Sequence, residues 1–128
     1  MVRPDAVVAM DEGMGNLRLI KSEREIDAIR HAAAIVNKTM SQAIEVVQAG
    51  IPEREIAAAI LAELVRSGSE YLGMEPFVAS GPRSGSIHAS WTDRVIRTGE
   101  PVLLEFAAAH KRYHAALMHT GCGASRSS

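Results

Sequence analysis

The side chains able to do chemistry gather late in the chain. Leu103 to Thr120 reads LLEFAAAHKRYHAALMHT and brings Glu105, His110, Tyr113, His114 and His119 together in sequence. Glu105 stands in Val102-Leu103-Leu104-Glu105-Phe106, a run whose other members all favour burial. A carboxylate in such a strand faces solvent, pairs with a cation or holds a metal, because a bare buried charge costs several kcal/mol or takes up a proton. If Leu104 and Phe106 face the core, strand alternation turns Glu105 and Leu103 to the opposite side. His110 and His114 have the spacing that sets two ligands on one helix face. Their neighbours Lys111, Arg112 and Tyr113 instead read as a turn entering a strand, where residues four apart lie about 13 Å from each other. His114 and His119, five apart, point to opposite faces of an unbroken strand. A triple-histidine metal site is the least supported reading of this stretch.

A second candidate is His88, delivered by SGPRSGSIHASW (Ser80–Trp91), a loop rich in Gly and Ser. Backbone amides and the wall of Trp91, the one tryptophan, suit it to exchange a proton with a bound carbonyl or anion. The plainer alternative is a loop histidine hydrogen-bonded to its own backbone, and the residues alone leave both open.

Composition narrows the setting. The 128 residues fit one domain with one modest core. Fourteen Lys and Arg against 15 Asp and Glu give a net charge of −1, which recruits neither nucleic acid nor an anionic membrane. Cys122 is the only cysteine, so no intrachain disulfide or thiolate cluster forms, and a reducing cytoplasm is the expected location. The longest apolar stretch, Ile56 to Ala62, falls far short of the roughly 20 residues that span a bilayer. The opening MVRPDAVVAMDEG lacks the apolar core and cleavage site of a signal peptide.

These residues need elements to hold them. Residues 1–16 show no sustained period and read as a linker or the remnant of a preceding domain. Ser22 and Glu25 form a capping-box pattern, after which Ile26, Ile29, Ala33, Val36, Met40, Ile44 and Val47 recur at helical steps. That long helix stops near Gly50, and Pro52 opens a second whose Ile56, Ile60 and Leu64 share a face before Gly68. Strands are predicted at Pro76–Ser80, Val102–Ala107 and Arg112–Leu117, the last two antiparallel through a turn near His110. The result is an α+β fold, a long helix hairpin on a mainly antiparallel sheet. Residues 121–128, GCGASRSS, read as a disordered tail.

Several motifs in order carry a family resemblance. Leu17 to Ile26 is similar to an "R-x-I-K-S-x-x-E-I" opening, and Ala49 to Ile56 to a "G-x-T-E-x-E-I" turn between two helices. Ser80-Gly81-Pro82-Arg83-Ser84 with His88, then Asp93 to Ile96 with Gly99, and finally His119-Thr120 follow in register. From about Leu17 to Thr120 the chain resembles the pita-bread superfamily of methionine aminopeptidase, aminopeptidase P, prolidase, creatinase and ectoine hydrolase. The resemblance implies that residues 17–120 are the first half of a pita-bread catalytic domain, and that the chain is a fragment lacking the second half.

In the metal-dependent members of that family, two aspartates eleven positions apart help hold two divalent ions, usually Mn, Co or Zn. Aligned on Tyr113 and Thr120, they fall on Glu105 and Ala116, and alanine has no ligand atom. No cofactor is therefore expected for this chain. Glu105-Phe106-Ala107 with Arg112-Tyr113-His114 looks like the creatinase and ectoine-hydrolase branch, thought to work without metal. On that resemblance His88 is the general acid/base of C–N bond hydrolysis in a small amide or Xaa-Pro-type substrate, and Glu105, Tyr113 and His114 line the pocket. It implies a small-molecule or short-peptide substrate, a homo-oligomer, and no activity for this chain alone. The other reading is a non-catalytic pita-bread module that binds a peptide or a partner chain.

Overall fold

The computed structural model describes residues 11–123. Residues 11–16, read as linker from the sequence, belong to helix α1 (Asp11–Leu19). Asp11 at its start and Arg18 in its last turn complement the helix dipole, while Leu17 and Leu19 stay exposed. The earlier residues of the expected linker, and 124–128 of the expected tail, lie outside the described residues.

Helix α2 spans Glu23–Val46 and begins with the expected capping box: Glu25 Oε2 accepts from the Ser22 N–H at 2.7 Å and its hydroxyl at 2.8 Å. Its buried stripe is Ala28, Ala32, Ile35, Val36, Thr39, Met40 and Ala43. Val36 and Met40 were expected there; Ile44 was too, but it is 40% exposed. Alanines on the inward stripe let the helix backbone approach the sheet closely, so the seam follows small residues more than large ones. Helix α3 (Glu53–Arg66) buries Ile56, Ile60 and Leu64 completely, as their spacing predicts.

Both helices cover one face of a three-stranded antiparallel sheet, ordered β1 (Leu72–Ser80), β2 (Pro101–His110) and β3 (Tyr113–Cys122). Each strand is longer than predicted, although β3 starts at Tyr113 because Arg112 falls in the turn, and Gly121 and Cys122, expected in the tail, close β3 opposite Val102 and Pro101. The turn falls at Lys111 and Arg112, one step past His110. Val102, Leu104, Phe106 and Ala108 point into the core with Ile56, Ile60, Leu64 and Val78. Glu105 lies on the other, open face, opposite Phe77 on one side and Met118 on the other. The fold therefore matches the expected α+β layer, with α1 as an added third helix.

Candidate active site

The loop after β1 is held from beneath by a residue that sequence reasoning passed over. Glu53, the first residue of α3, is fully buried. Its Oε1 accepts from the Ser80 N–H at 2.8 Å and hydroxyl at 2.7 Å, and its Oε2 from the Thr92 N–H at 2.9 Å and hydroxyl at 2.7 Å. Arg83 adds an ion pair to the same Oε2 and donates to the Ser90 carbonyl at 2.8 Å. Burial pushes the Glu53 carboxyl up, but the hydrogen bonds from Ser80 and Thr92 outweigh it and leave the group below the usual carboxylate range. One carboxylate thus clasps both ends of the segment from Ser80 to Thr92. The only local sign of it was an acidic residue directly after Pro52, in the first turn of a helix.

Between those ends the chain makes a short 3-10 turn, Gly81–Gly85, and then presents His88. His88 has φ 54, a left-handed conformation that is costly for a residue with a Cβ. Its ring packs on Phe77, with centroids 5.0 Å apart, and not on Trp91, which turns inward against the core. Adjacency in sequence suggested the tryptophan; the bridge between Ser90 and Phe77 folds the loop back along β1 and supplies the phenylalanine instead.

His88 and Glu105 line the same recess, of about 200 Å³, with Ile87, Leu103 and Met118. Glu105 Oε2 is buried and has no hydrogen-bond partner. A buried, unpartnered carboxylate oxygen costs stability that a hydrophobic residue would not, so the position is poised for a hydrogen-bond donor from outside the chain. A histidine able to give or take a proton beside an apolar recess with one carboxylate can bind and polarise a small polar substrate.

Tyr113 and His114 stand elsewhere. Tyr113 lies on the helix side and donates to Glu25 Oε1 at 2.8 Å, which raises its own pKa and helps lower that of Glu25, after the hydrogen bonds from Ser22. His114 lies on the open face with its Nε2 2.7 Å from the Tyr71 hydroxyl. It is four residues from Met118 along β3, about 13 Å by strand rise. The structure thus joins His88 to Glu105 and leaves Tyr113 and His114 at the other end of the hairpin. His110, the cross-strand partner of Tyr113, stacks on His31 at 4.4 Å, likewise at the far end of the hairpin from the His88–Glu105 recess.

Ala107 and Ala116 face each other across β2 and β3, which sets Ala116 one step along the open face from Glu105. The two positions aligned with the family's aspartates are therefore neighbours, yet only one carries an oxygen. Among the described residues, no three of His, Cys, Asp and Glu are grouped to hold a metal ion. These side chains do not fit a dinuclear centre.

Residues 27–127 match metallopeptidase family M24. The chain is 32% identical over 111 residues to an Xaa-Pro dipeptidase of Pyrococcus horikoshii, covering 87% of this chain and 32% of that protein. To an ectoine hydrolase of Halomonas elongata it is 30% identical over 112 residues, covering 80% of this chain and 28% of that protein. The structure of a prolidase from Pyrococcus furiosus superposes with a TM-score of 0.85 at 31% identity, over 88% of this chain and 34% of that one. The chain thus spans about a third of the length of such relatives, and its helix-covered antiparallel sheet is part of the pita-bread fold. By its sequence match and its fold, the chain belongs to metallopeptidase family M24.

Proposed function

We propose that this chain forms one wall of the active site of a hydrolase that cleaves a C–N bond in a small amide or Xaa-Pro-type substrate. The observation that carries the proposal is the shared recess of His88 and Glu105, with Glu105 Oε2 buried and unpartnered. Glu105 receives an N–H of the substrate and fixes its orientation. His88 donates a proton to the leaving nitrogen and accepts one from the attacking water, with its ring direction held by Phe77. The opposite wall comes from polypeptide beyond these 128 residues, in keeping with relatives about three times as long. Only the wall bearing His88 and Glu105 is present, so the isolated chain is expected to be inactive.

The test is an assay of the full-length protein containing this segment against Xaa-Pro dipeptides, ectoine and creatine, with the 128-residue chain alongside. Turnover by the long protein, its loss in His88→Asn, and none by the short chain is the expected result. Full activity in His88→Asn would overturn the assignment of the proton donor, and turnover by the short chain would overturn the two-wall reading.

A further inference from the structure

The hairpin tip joining β2 to β3 gathers cationic side chains at a recess that the hydrolase reading does not use. His110 pairs with Tyr113, so the loop has two residues, and both take positive φ: Lys111 at 48° and Arg112 at 69°. Two positive φ angles in a two-residue loop define a type I′ turn, for which Asn-Gly is the favoured pair. Lys-Arg fits that backbone poorly, so a strained conformation holds two cations at the tip.

Further contacts fix the tip in place. Glu70 Oε1 accepts from the Lys111 N–H at 2.9 Å, and the Arg112 guanidinium sits 5.0 Å over the Tyr71 ring. The Tyr71 hydroxyl in turn meets His114 Nε2 at 2.7 Å. Lys111, Arg112 and His114 line one side of a recess of about 820 Å³, and Arg18 and Lys21 line the other. Its one carboxylate among the described residues, Glu25, already accepts from the Ser22 N–H, the Ser22 hydroxyl and the Tyr113 hydroxyl. Among the described residues, four cationic side chains thus line a space whose one acid already accepts from other donors.

We propose that this recess is an anion site, built for a multiply charged oxyanion of the phosphate class. Arg112, oriented by Tyr71, supplies a planar fork for two oxygens, Lys111 and Lys21 add mobile ammonium groups, and Arg18 closes the far side. Its ligand is either a free inorganic anion or the phosphate end of an organic molecule. His114 of this recess and Met118 of the His88–Glu105 recess lie four residues apart on β3, about 13 Å along the strand. That is too far for one dipeptide to fill both, so its ligand is separate from the substrate.

The test is calorimetric titration of the purified 128-residue chain with inorganic pyrophosphate and, in a second arm, with ADP. Saturable binding that weakens as salt is raised is expected. Affinity should fall by about tenfold or more in the Lys111→Asn, Arg112→Gly double variant. That variant places the favoured pair in the turn, so it should melt no lower than the parent, which separates lost binding from lost fold. Lys21→Gln, on the helix side of the recess, should weaken binding with the turn untouched. Tighter binding of ADP assigns an organic phosphate, and equal or weaker binding a free anion; both support the site. No saturable binding of either ligand, or undiminished binding by both variants, would overturn it.

Discussion

Glu53 and Arg83, thirty residues apart in sequence, form an ion pair in which the carboxylate is completely buried and the guanidinium is one-third exposed. Removing one member of such a pair leaves the other without its compensating charge. Glu53→Ala also strips the Ser80 and Thr92 amides of their acceptor. A loss of about 3–5 kcal/mol is expected, a large fraction of the stability of a domain of this size. Glu55→Ala, an exposed change two residues on, should stay within about 0.5 kcal/mol. Urea unfolding of the two variants checks the contrast, and equal midpoints would show that the clasp contributes little.

Acid should weaken the fold over a definite window. The Glu100 carboxyl is lowered from 4.5 to about 2, first by the hydrogen bond from Arg94 and then by the Arg97 N–H. Glu53 is lowered as well. Between about pH 4.5 and 2 the unfolded chain therefore binds more protons than the native one, and stability rises with pH until both carboxylates are ionised in either state. Urea midpoints should fall steadily as pH drops through that window and level off above it. Arg94→Gln should flatten the dependence; an unchanged slope would remove Glu100 as a source.

Glu105 is expected to trade stability for its role. Its Oε2 is buried with no partner, so Glu105→Met should raise the stability of the chain by about 1–3 kcal/mol. In the full-length protein the same change should abolish turnover. Thermal melts and assays of matched samples test both halves, and a destabilised Glu105→Met would mean that the carboxylate is already satisfied.

The outer edge of β3 has no strand partner among the described residues, whereas β1 receives Ser90 at Phe77 on its outer side. Met118, 57% exposed, sits midway along that free edge. Self-association of the chain through β3 is expected, since an open edge offers unpaired N–H and C=O groups to any second strand. Sedimentation velocity over a concentration series checks this; a monomer throughout would show that the edge is protected.

What could be read from the sequence was what is local. The capping box at Ser22, the inward face of α3 and the hairpin with Glu105 turned away from the core all follow from spacing of three to four residues or of two. The α2 stripe was displaced because alanines, weak signals of hydrophobicity, form the closest approach. Of the four side chains named for the site, His88 and Glu105 converge. Tyr113 and His114 do not, because adjacent strand residues face opposite ways and the recess sits four residues further along β3. Glu53 stayed hidden because its partners are 27 to 39 residues away and nothing in Pro52-Glu53-Arg54-Glu55 marks one acid as buried and the other as exposed.

The hydrogen bond from Tyr113 to Glu25 spans 88 residues, and from this an order of events during folding is expected. The local half of the cap, Ser22 to Glu25, closes as soon as α2 nucleates, on a submicrosecond timescale. Tyr113 reaches the same carboxylate only after β2 and β3 have paired and the sheet has docked beneath the helix. Loop-closure entropy makes so distant a contact a late one. Tyr113→Phe should therefore leave the refolding rate almost unchanged and speed unfolding, which makes this single hydroxyl a reporter of the last step, when the hairpin locks onto the start of α2.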